Sequence, residues 1–242
     1  MATADDVRPD QRPRVGRPPR INRQMIAEAA HEVGLDGLTL RDVAAHLGVS
    51  IAALYHHVSS KDDLMRVAAE YSATKVPLPE NRGQHWAVWL YEWAAYNRDA
   101  FVAQPGLLAQ FLEGAISAEA IAGNVDTILG LLVRQGFSIH DANAAYDVVT
   151  SCALGTAVMT IREREAARTG RTVLATQRQV LDQAGPDELP YLRRLLERDV
   201  QEDDAAFHTR IATVLCGIAV RQGEDWPPIE RLIDAIAGAT PH

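Results

Sequence analysis

The segment Thr39-Leu-Arg-Asp-Val-Ala-Ala-His-Leu-Gly-Val-Ser-Ile-Ala-Ala-Leu-Tyr-His-His-Val-Ser-Ser-Lys61 constrains this chain more than any other stretch. It predicts two short helices joined by a tight turn, with a further helix starting at once. Thr39 suits an N-cap, and Asp42 stands at the third position needed for a capping box. Gly48 falls where the chain must reverse through a left-handed residue, which glycine adopts without a Cβ clash. Ser50 caps the second helix. Val43, Ala44 and Leu47, then Ala53, Leu54 and Val58, recur at helical spacing and mark the inward side. Ile51, Ala52, Tyr55 and His57 are left on other faces, a combination that suits a groove of DNA. The pattern is a helix-turn-helix.

The charge distribution supports that reading. A net charge of −8 is unfavourable for a nucleic-acid binder taken as a whole. Residues 8–23, however, hold six arginines (Arg8, Arg12, Arg14, Arg17, Arg20 and Arg23) against Asp10 alone, a local charge of +5 that leaves −13 on the remainder. A basic arm on an acidic body concentrates phosphate attraction at one end. An arm of this kind can be a solubilising tail; just ahead of a helix-turn-helix it is better read as a minor-groove or backbone contact.

Residues 1–19 contain Pro9, Pro13, Pro18 and Pro19 among charges, and are expected to be disordered without a partner. A first helix is predicted over 22–33, with Ile21, Met25, Ile26, Ala29, Ala30 and Val33 as its apolar stripe. The helix after the helix-turn-helix starts at Ser59 or Ser60, with Asp62 and Asp63 suiting its positive N-terminus, and Pro77 and Pro79 end it. That proline pair predicts a boundary between a domain over 20–76 and a larger one over 80–242. Helical spacing dominates the rest, with helices predicted over 83–103, 105–113, 117–135, 140–168, 172–184, 187–200 and 203–222 and a terminal turn near 229–237. The fold class is all-α, with nine or ten helices.

Residues 20–75 resemble the N-terminal domain of the tetracycline-repressor (TetR) family of one-component bacterial transcription regulators. The resemblance rests on Ile26-Ala27-Glu28-Ala29-Ala30, Gly37-Leu38-Thr39, Val43-Ala44, Leu47-Gly48-Val49-Ser50, Leu54-Tyr55, His57-Val58 and Lys61-Asp62-Asp63-Leu64. It implies a homodimer on palindromic double-stranded operator DNA, with no cofactor. DNA contacts are expected from Arg17, Arg20, Thr39, Arg41, Ser50, Ile51, Ala52, Tyr55, His57 and Lys61. Arg41 can reach a phosphate or a guanine edge, Ile51 and Ala52 can meet thymine methyls, and Thr39 can offer its hydroxyl or backbone N–H to a phosphate. The family often carries a polar base-reading residue where Ile51 and Ala52 stand, so direct readout here is poor in hydrogen bonds.

The resemblance also implies a helical ligand-binding and dimerisation domain. Trp86, Trp89, Trp93 and Tyr96 recur at 3-4-3 spacing, a stripe open to two readings, core or the lining of a cavity for a small hydrophobic or aromatic effector. On the second reading Trp86, Trp89, Trp93, Phe101, Leu108, Phe111, Leu112 and Thr156 contact the effector. Two stripes suit self-association: Ala145, Val149 and Cys152 on the long helix, and Ile211, Val214 and Ile218 on the last major one. Each could equally be ordinary core.

Other classes lack signals. The eight histidines show no HExxH spacing, there is no GxSxG elbow or phosphate-cradling glycine loop, and no metal is expected. Cys152 and Cys216 are far apart and flanked by apolar residues, which reads as buried thiols in a reducing cytoplasm. No run approaches the roughly 18 apolar residues of a membrane span. The rival reading within DNA binding is a constitutive or architectural dimer without an effector.

Overall fold

The computed structural model describes residues 21–197, 203–225, 228, 231–232 and 234–235. Among them the secondary structure is entirely helical: α1 (Arg23–Val33), α2 (Leu40–Leu47), α3 (Ile51–Leu54), α4 (Lys61–Thr74), α5 (Trp86–Ala103), α6 (Pro105–Leu112), α7 (Ala118–Arg134), α8 (Ile139–Arg168), α9 (Val173–Gln183), α10 (Pro190–Leu196) and α11 (Asp203–Gln222). Eleven helices stand among the described residues, against the nine or ten expected. The basic arm, with Arg17 and Arg20, lies outside the described residues, as does most of the predicted turn near 229–237.

Short polar residues set the helix starts by accepting bonds from first-turn N–H groups that have no partner within the helix. Asn22 accepts from Met25 N, Ser60 from Asp63 N, Ser117 from Ala120 N and Ser138 from Asp141 N. Pro105 and Pro190 open α6 and α10, where a missing N–H costs nothing.

Two apolar cores organise the chain. The first joins Ile26, Ala30, Leu35, Leu38, Val43, Leu54, Val58, Leu64 and Ala68 to Phe101, Leu107, Leu108 and Ala157. The second joins Trp86, Trp89, Trp93, Ile128, Leu132, Phe137, Val149, Phe207, Ile211 and Leu215. The first core therefore runs past Pro77 and Pro79: the end of α5, α6 and the middle of α8 seal the base of the helix-turn-helix unit. Met25 and Val33, expected in the α1 stripe, are exposed, and Ala27 is buried in their place. α8 is long and apolar enough to cross a membrane by length and composition. Its Ala142, Ala145, Val149, Ala153 and Ala157 are instead buried, and their small size lets α5 approach closely.

The N-terminus of α6 is fastened to the loop between α1 and α2. Gly106 N donates to Asp36 Oδ1 at 2.6 Å. A Cβ at position 106 would lie 2.8 Å from the Leu35 carbonyl oxygen and 2.9 Å from Asp36 Oδ1. Alanine is ordinarily better than glycine in a helix by about 0.5–1 kcal/mol. Here the clash with backbone reverses the sign: Gly106→Ala is expected to destabilise the protein by about 1–3 kcal/mol, read as a lowered Tm.

Candidate nucleic-acid interface and adjoining cavity

The helix-turn-helix has the local geometry that its caps and turn dictate. Thr39 accepts from Asp42 N at 3.3 Å, and Asp42 Oδ2 accepts from Thr39 N at 3.0 Å, closing the capping box. Gly48 takes φ 64° and ψ 36°, the left-handed reversal. Ser50 Oγ accepts from Ala53 N at 3.2 Å and starts α3. Leu54 and Val58 point into the core, so the opposite face of α3 is left to solvent. Ile51 is 37% exposed and Tyr55 53%, and Ala52 is exposed beside them.

Arg41 and Lys61 are exposed at the starts of α2 and α4, and neither has a side-chain partner among the described residues. Tyr55 is not a core aromatic. His57 is half-buried. Thr39 departs from expectation: its hydroxyl donates to Asp42 Oδ2 at 2.6 Å and its N–H is spent on the same carboxylate. Neither donor is free for a phosphate while the capping box is closed.

Sequence reasoning misses the group that holds this face in place. Local spacing marks Asp63 only as a charge suiting a helix N-terminus. Its Oδ1 accepts from Arg23 Nη2 at 2.6 Å and Arg66 Nη2 at 2.7 Å, and its Oδ2 accepts from Ser59 N at 2.9 Å. Arg23 Nη1 also donates to the His57 carbonyl at 2.6 Å. The turn leaving α3 is thus bound to α1 and α4 at once. Arg23, counted with the basic arm by sequence, is committed internally. The Arg23 guanidinium first, then the Ser59 N–H, hold the Asp63 carboxyl well below the usual carboxylate range. The pairs are 40 and four residues apart, so no local pattern announces the long one.

Beyond the base of α4 lies a cavity of about 70 Å³. Its wall comprises Ala73 and Val76 at the end of α4, Trp93, Asn97 and Phe101 of α5, Leu107 and Phe111 of α6, Ile116, Ile121, Asn124 and Val125 around α7, and Tyr146 and Thr150 of α8. Of the expected effector contacts, Trp93, Phe101 and Phe111 are in this wall. The others are elsewhere. Trp86 packs against Phe137 and donates Nε1 to Glu224 Oε1 at 2.8 Å. Trp89 stacks on Trp93 and donates Nε1 to the Pro79 carbonyl at 3.0 Å. Leu108 is buried in the first core and Leu112 is exposed. Thr156 donates to the Cys152 carbonyl at 2.8 Å and borders a groove between α8 and α11. The reason is length: Trp86 and Trp93 are two turns apart, about 10 Å along the helix, so only the lower end of the stripe reaches the cavity. The stripe is core along its length, and its lower end also lines a cavity.

The residues of the self-association stripes divide in a similar way. Ala145, Val149, Ile211 and Ile218 are buried in the subunit's own second core. Cys152 and Val214 are half-buried and border an open groove with Ser151, Gly155, Met159, Arg210 and Thr213. The regular apolar stripe of each helix serves its own core, and the uncovered row lies about one position round: Val148, Cys152, Gly155 and Met159 on α8. Burial also raises the Cys152 thiol pKa.

Comparison with known proteins places this architecture. Residues 26–68 match the family model described as bacterial regulatory proteins, tetR family. The chain is 30% identical to the class A tetracycline repressor protein from transposon 1721 of Escherichia coli, over 79% of this chain and 86% of that protein. It is 29% identical to the class D tetracycline repressor protein of Escherichia coli, over 84% of this chain and 91% of that one. Among solved structures, apo ActR from Streptomyces coelicolor superposes with a TM-score of 0.66 at 20% identity, covering 84% of this chain and 97% of that one. The chain belongs to the TetR family of bacterial transcriptional regulators.

Asp63 gives the assembly a pH signature. A depressed carboxylate pKa stabilises the folded state above the unfolded group's value, and that contribution is lost as pH falls. Asp63→Asn is expected to melt below the parent at neutral pH, with the gap closing as pH falls below the ordinary value of 3.8. Thermal melts of both proteins between neutral and acid pH check it; a gap that persists in acid overturns the assignment.

Proposed function

We propose that the protein is a dimeric, cytoplasmic transcriptional repressor that reads a palindromic operator with α3 and leaves it when a small hydrophobic or aromatic molecule enters the cavity beside α4. One observation carries this reading. α4 begins at Lys61, just after the turn that leaves α3, and its far end forms part of the cavity wall through Ala73, with Val76 just beyond it. Fourteen residues of helix span about 21 Å. Whatever moves the lower end of that rod moves the reading head.

In this reading Ile51 and Ala52 meet base edges. Arg41, Ser50, Tyr55 and Lys61 hold phosphates, and Lys61 adds the N-terminal dipole of α4. Ser50 spends a lone pair on its cap, which leaves its hydroxyl proton for a phosphate. Arg17 and Arg20 extend the contact into the adjacent groove. His57 contributes its ring from a half-buried position.

The cavity's size supports a displacement mechanism. Pockets that enclose a drug-sized ligand measure roughly 300–1,000 Å³, and this one measures about 70 Å³. An occupant therefore has to part the walls. Two of those walls lead to the helix-turn-helix: α4 directly, and α6 through the bond from Gly106 to Asp36. Ligand occupancy then favours a head spacing that no longer fits successive major grooves. Relatives fit this picture: ActR from Streptomyces coelicolor has been solved in complex with actinorhodin, and a single-substitution variant of TetR from Acinetobacter baumannii with minocycline.

The dimer is assigned to the uncovered α8 and α11 faces around Cys152, Gly155, Met159, Thr213 and Val214. Met159 is 51% exposed and stands at the end of that row. Met159→Glu is expected to yield monomers by sedimentation and to lose at least about tenfold in operator affinity, since one head alone buries too little surface.

The interface is tested on the DNA sequence that the protein selects from a random pool. Arg41→Ala and Lys61→Ala are each expected to lower affinity and to flatten the slope of log K against log salt by about 0.9 per head. Unchanged slopes in both variants remove the phosphate roles. A hydrophobic library in which no molecule both raises the Tm and releases the selected DNA favours the constitutive dimer instead.

A further inference from the structure

The basic arm joins the protein at a junction between two surfaces. Ile21 is buried in the first core, so the arm begins at the foot of α1. On one side lies the turn after α3, whose His57 carbonyl is bound by Arg23. On the other lies an open groove that starts at Arg23 and Gln24 of α1 and crosses α4 to Ser117 and Ala120 of the α7 start. Ala27, Val67 and Ala120 give this groove apolar surface, and Tyr71 gives it an aromatic ring.

The groove's carboxylates are incompletely matched. Glu70 and Glu119 line it, and Glu28, which accepts from the Tyr71 hydroxyl at 3.3 Å, stands beside it. Arg23, the cation in the lining, is spent on Asp63 and the His57 carbonyl. Arg66 bonds Asp63 at 2.7 Å and reaches Glu70 only at 3.4 Å. Glu119 is exposed and has no side-chain partner among the described residues. Lys75 holds its ammonium 4.8 Å from the centre of the Tyr71 ring, so that ring already receives a cation.

Residues 11–20 complement this surface. They read Gln-Arg-Pro-Arg-Val-Gly-Arg-Pro-Pro-Arg, four arginines and no acid. Proline pre-sets an extended backbone with no N–H to satisfy, and proline-rich segments dock in aromatic-lined grooves for that reason. Arginine supplies the planar fork that pairs with carboxylates. The distance is short: Val67 to Thr74 is about 10 Å of helix, which three or four extended residues cover.

We propose that, away from DNA, residues 12–20 fold back from Ile21 and dock in the α1–α4–α7 groove of their own subunit, arginines against Glu70 and Glu119 and prolines against the apolar surface. Docking and DNA contact then compete for the same arginines. On the proposed function, an arm held by the protein's own carboxylates is withheld from non-specific phosphate, and apparent affinity falls with the undocked fraction. An operator that also engages α3 offsets the release. The docking itself does not rest on that reading.

The test is trypsin digestion of the full chain without DNA, followed by mass spectrometry. Arg8, Arg12 and Arg17 each precede proline, a bond trypsin does not cut, so Arg14–Val15 is the reporting bond within the arm. Where undocking and redocking outpace cleavage, the rate follows the undocked fraction. Glu70→Gln combined with Glu119→Gln is expected to speed the loss of residues 1–14 at least about threefold. Glu165→Gln, on an exposed glutamate of α8 outside the groove, is expected to leave the rate unchanged. An unaltered Tm reports an intact fold, and Glu119→Gln alone decides if the change at Glu70 lowers it. Equal rates in the parent and the Glu119 variant, or equal acceleration by Glu165→Gln, overturn docking in this groove. Protection that disappears on dilution marks docking on a second molecule and overturns the assignment to the arm's own subunit. Acceleration in a protein that selects no DNA leaves the docking standing and removes only the proposed function.

Discussion

Burial of α4 on both of its long sides is the constraint on which the rest of the structure depends. Leu64, Val67, Ala68, Ala69 and Ala73 are all buried, packed chiefly against α1 and then, farther along, against α6 and α7. A helix with small residues at so many inward positions can be approached closely by several neighbours, and close packing transmits displacement instead of absorbing it. α4 consequently belongs to two structures. Its first turn carries Lys61 and the Asp63 hub that binds the turn leaving α3, and its last turn is part of a cavity wall.

The hub and the cavity stabilise opposite ends of that rod by different physics. Around Asp63, five donor atoms of Arg23, Arg66 and Ser59 converge on one carboxylate, with charge-assisted bonds of 2.6 and 2.7 Å from two guanidiniums. That geometry fixes the α3 exit relative to α1. At the other end the contacts are apolar and the space incompletely filled, so shifts cost less there. One end of the rod is held by a stiff electrostatic clamp, and the opposite end is loosely packed.

α6 provides a second connection. Its N-terminus meets the α1–α2 loop through one short hydrogen bond and a glycine that leaves no room for a side chain. Its Leu107 and Phe111 face the cavity while Leu108 enters the first core. One eight-residue helix therefore touches the cavity, the core of the helix-turn-helix unit and the loop ahead of α2.

The sequence by itself determined the helices, their caps, the turn at Gly48 and the outward set Ile51, Ala52 and Tyr55, because these follow from interactions within about four residues. It also marked the aromatic stripe of α5 and the periodic faces of α8 and α11. Only the tertiary structure decided which part of each stripe meets what: Trp93 the cavity but Trp86 the core, Val149 and Ile211 the subunit's own interior, and the row through Gly155 and Met159 left uncovered. It alone joined Arg23 to Asp63, Gly106 to Asp36 and Asn124 to Val76. A periodic pattern states that a face is apolar and is silent about its neighbour. Bonds between residues tens of positions apart leave no trace in local spacing, since they exist only once the helices have packed.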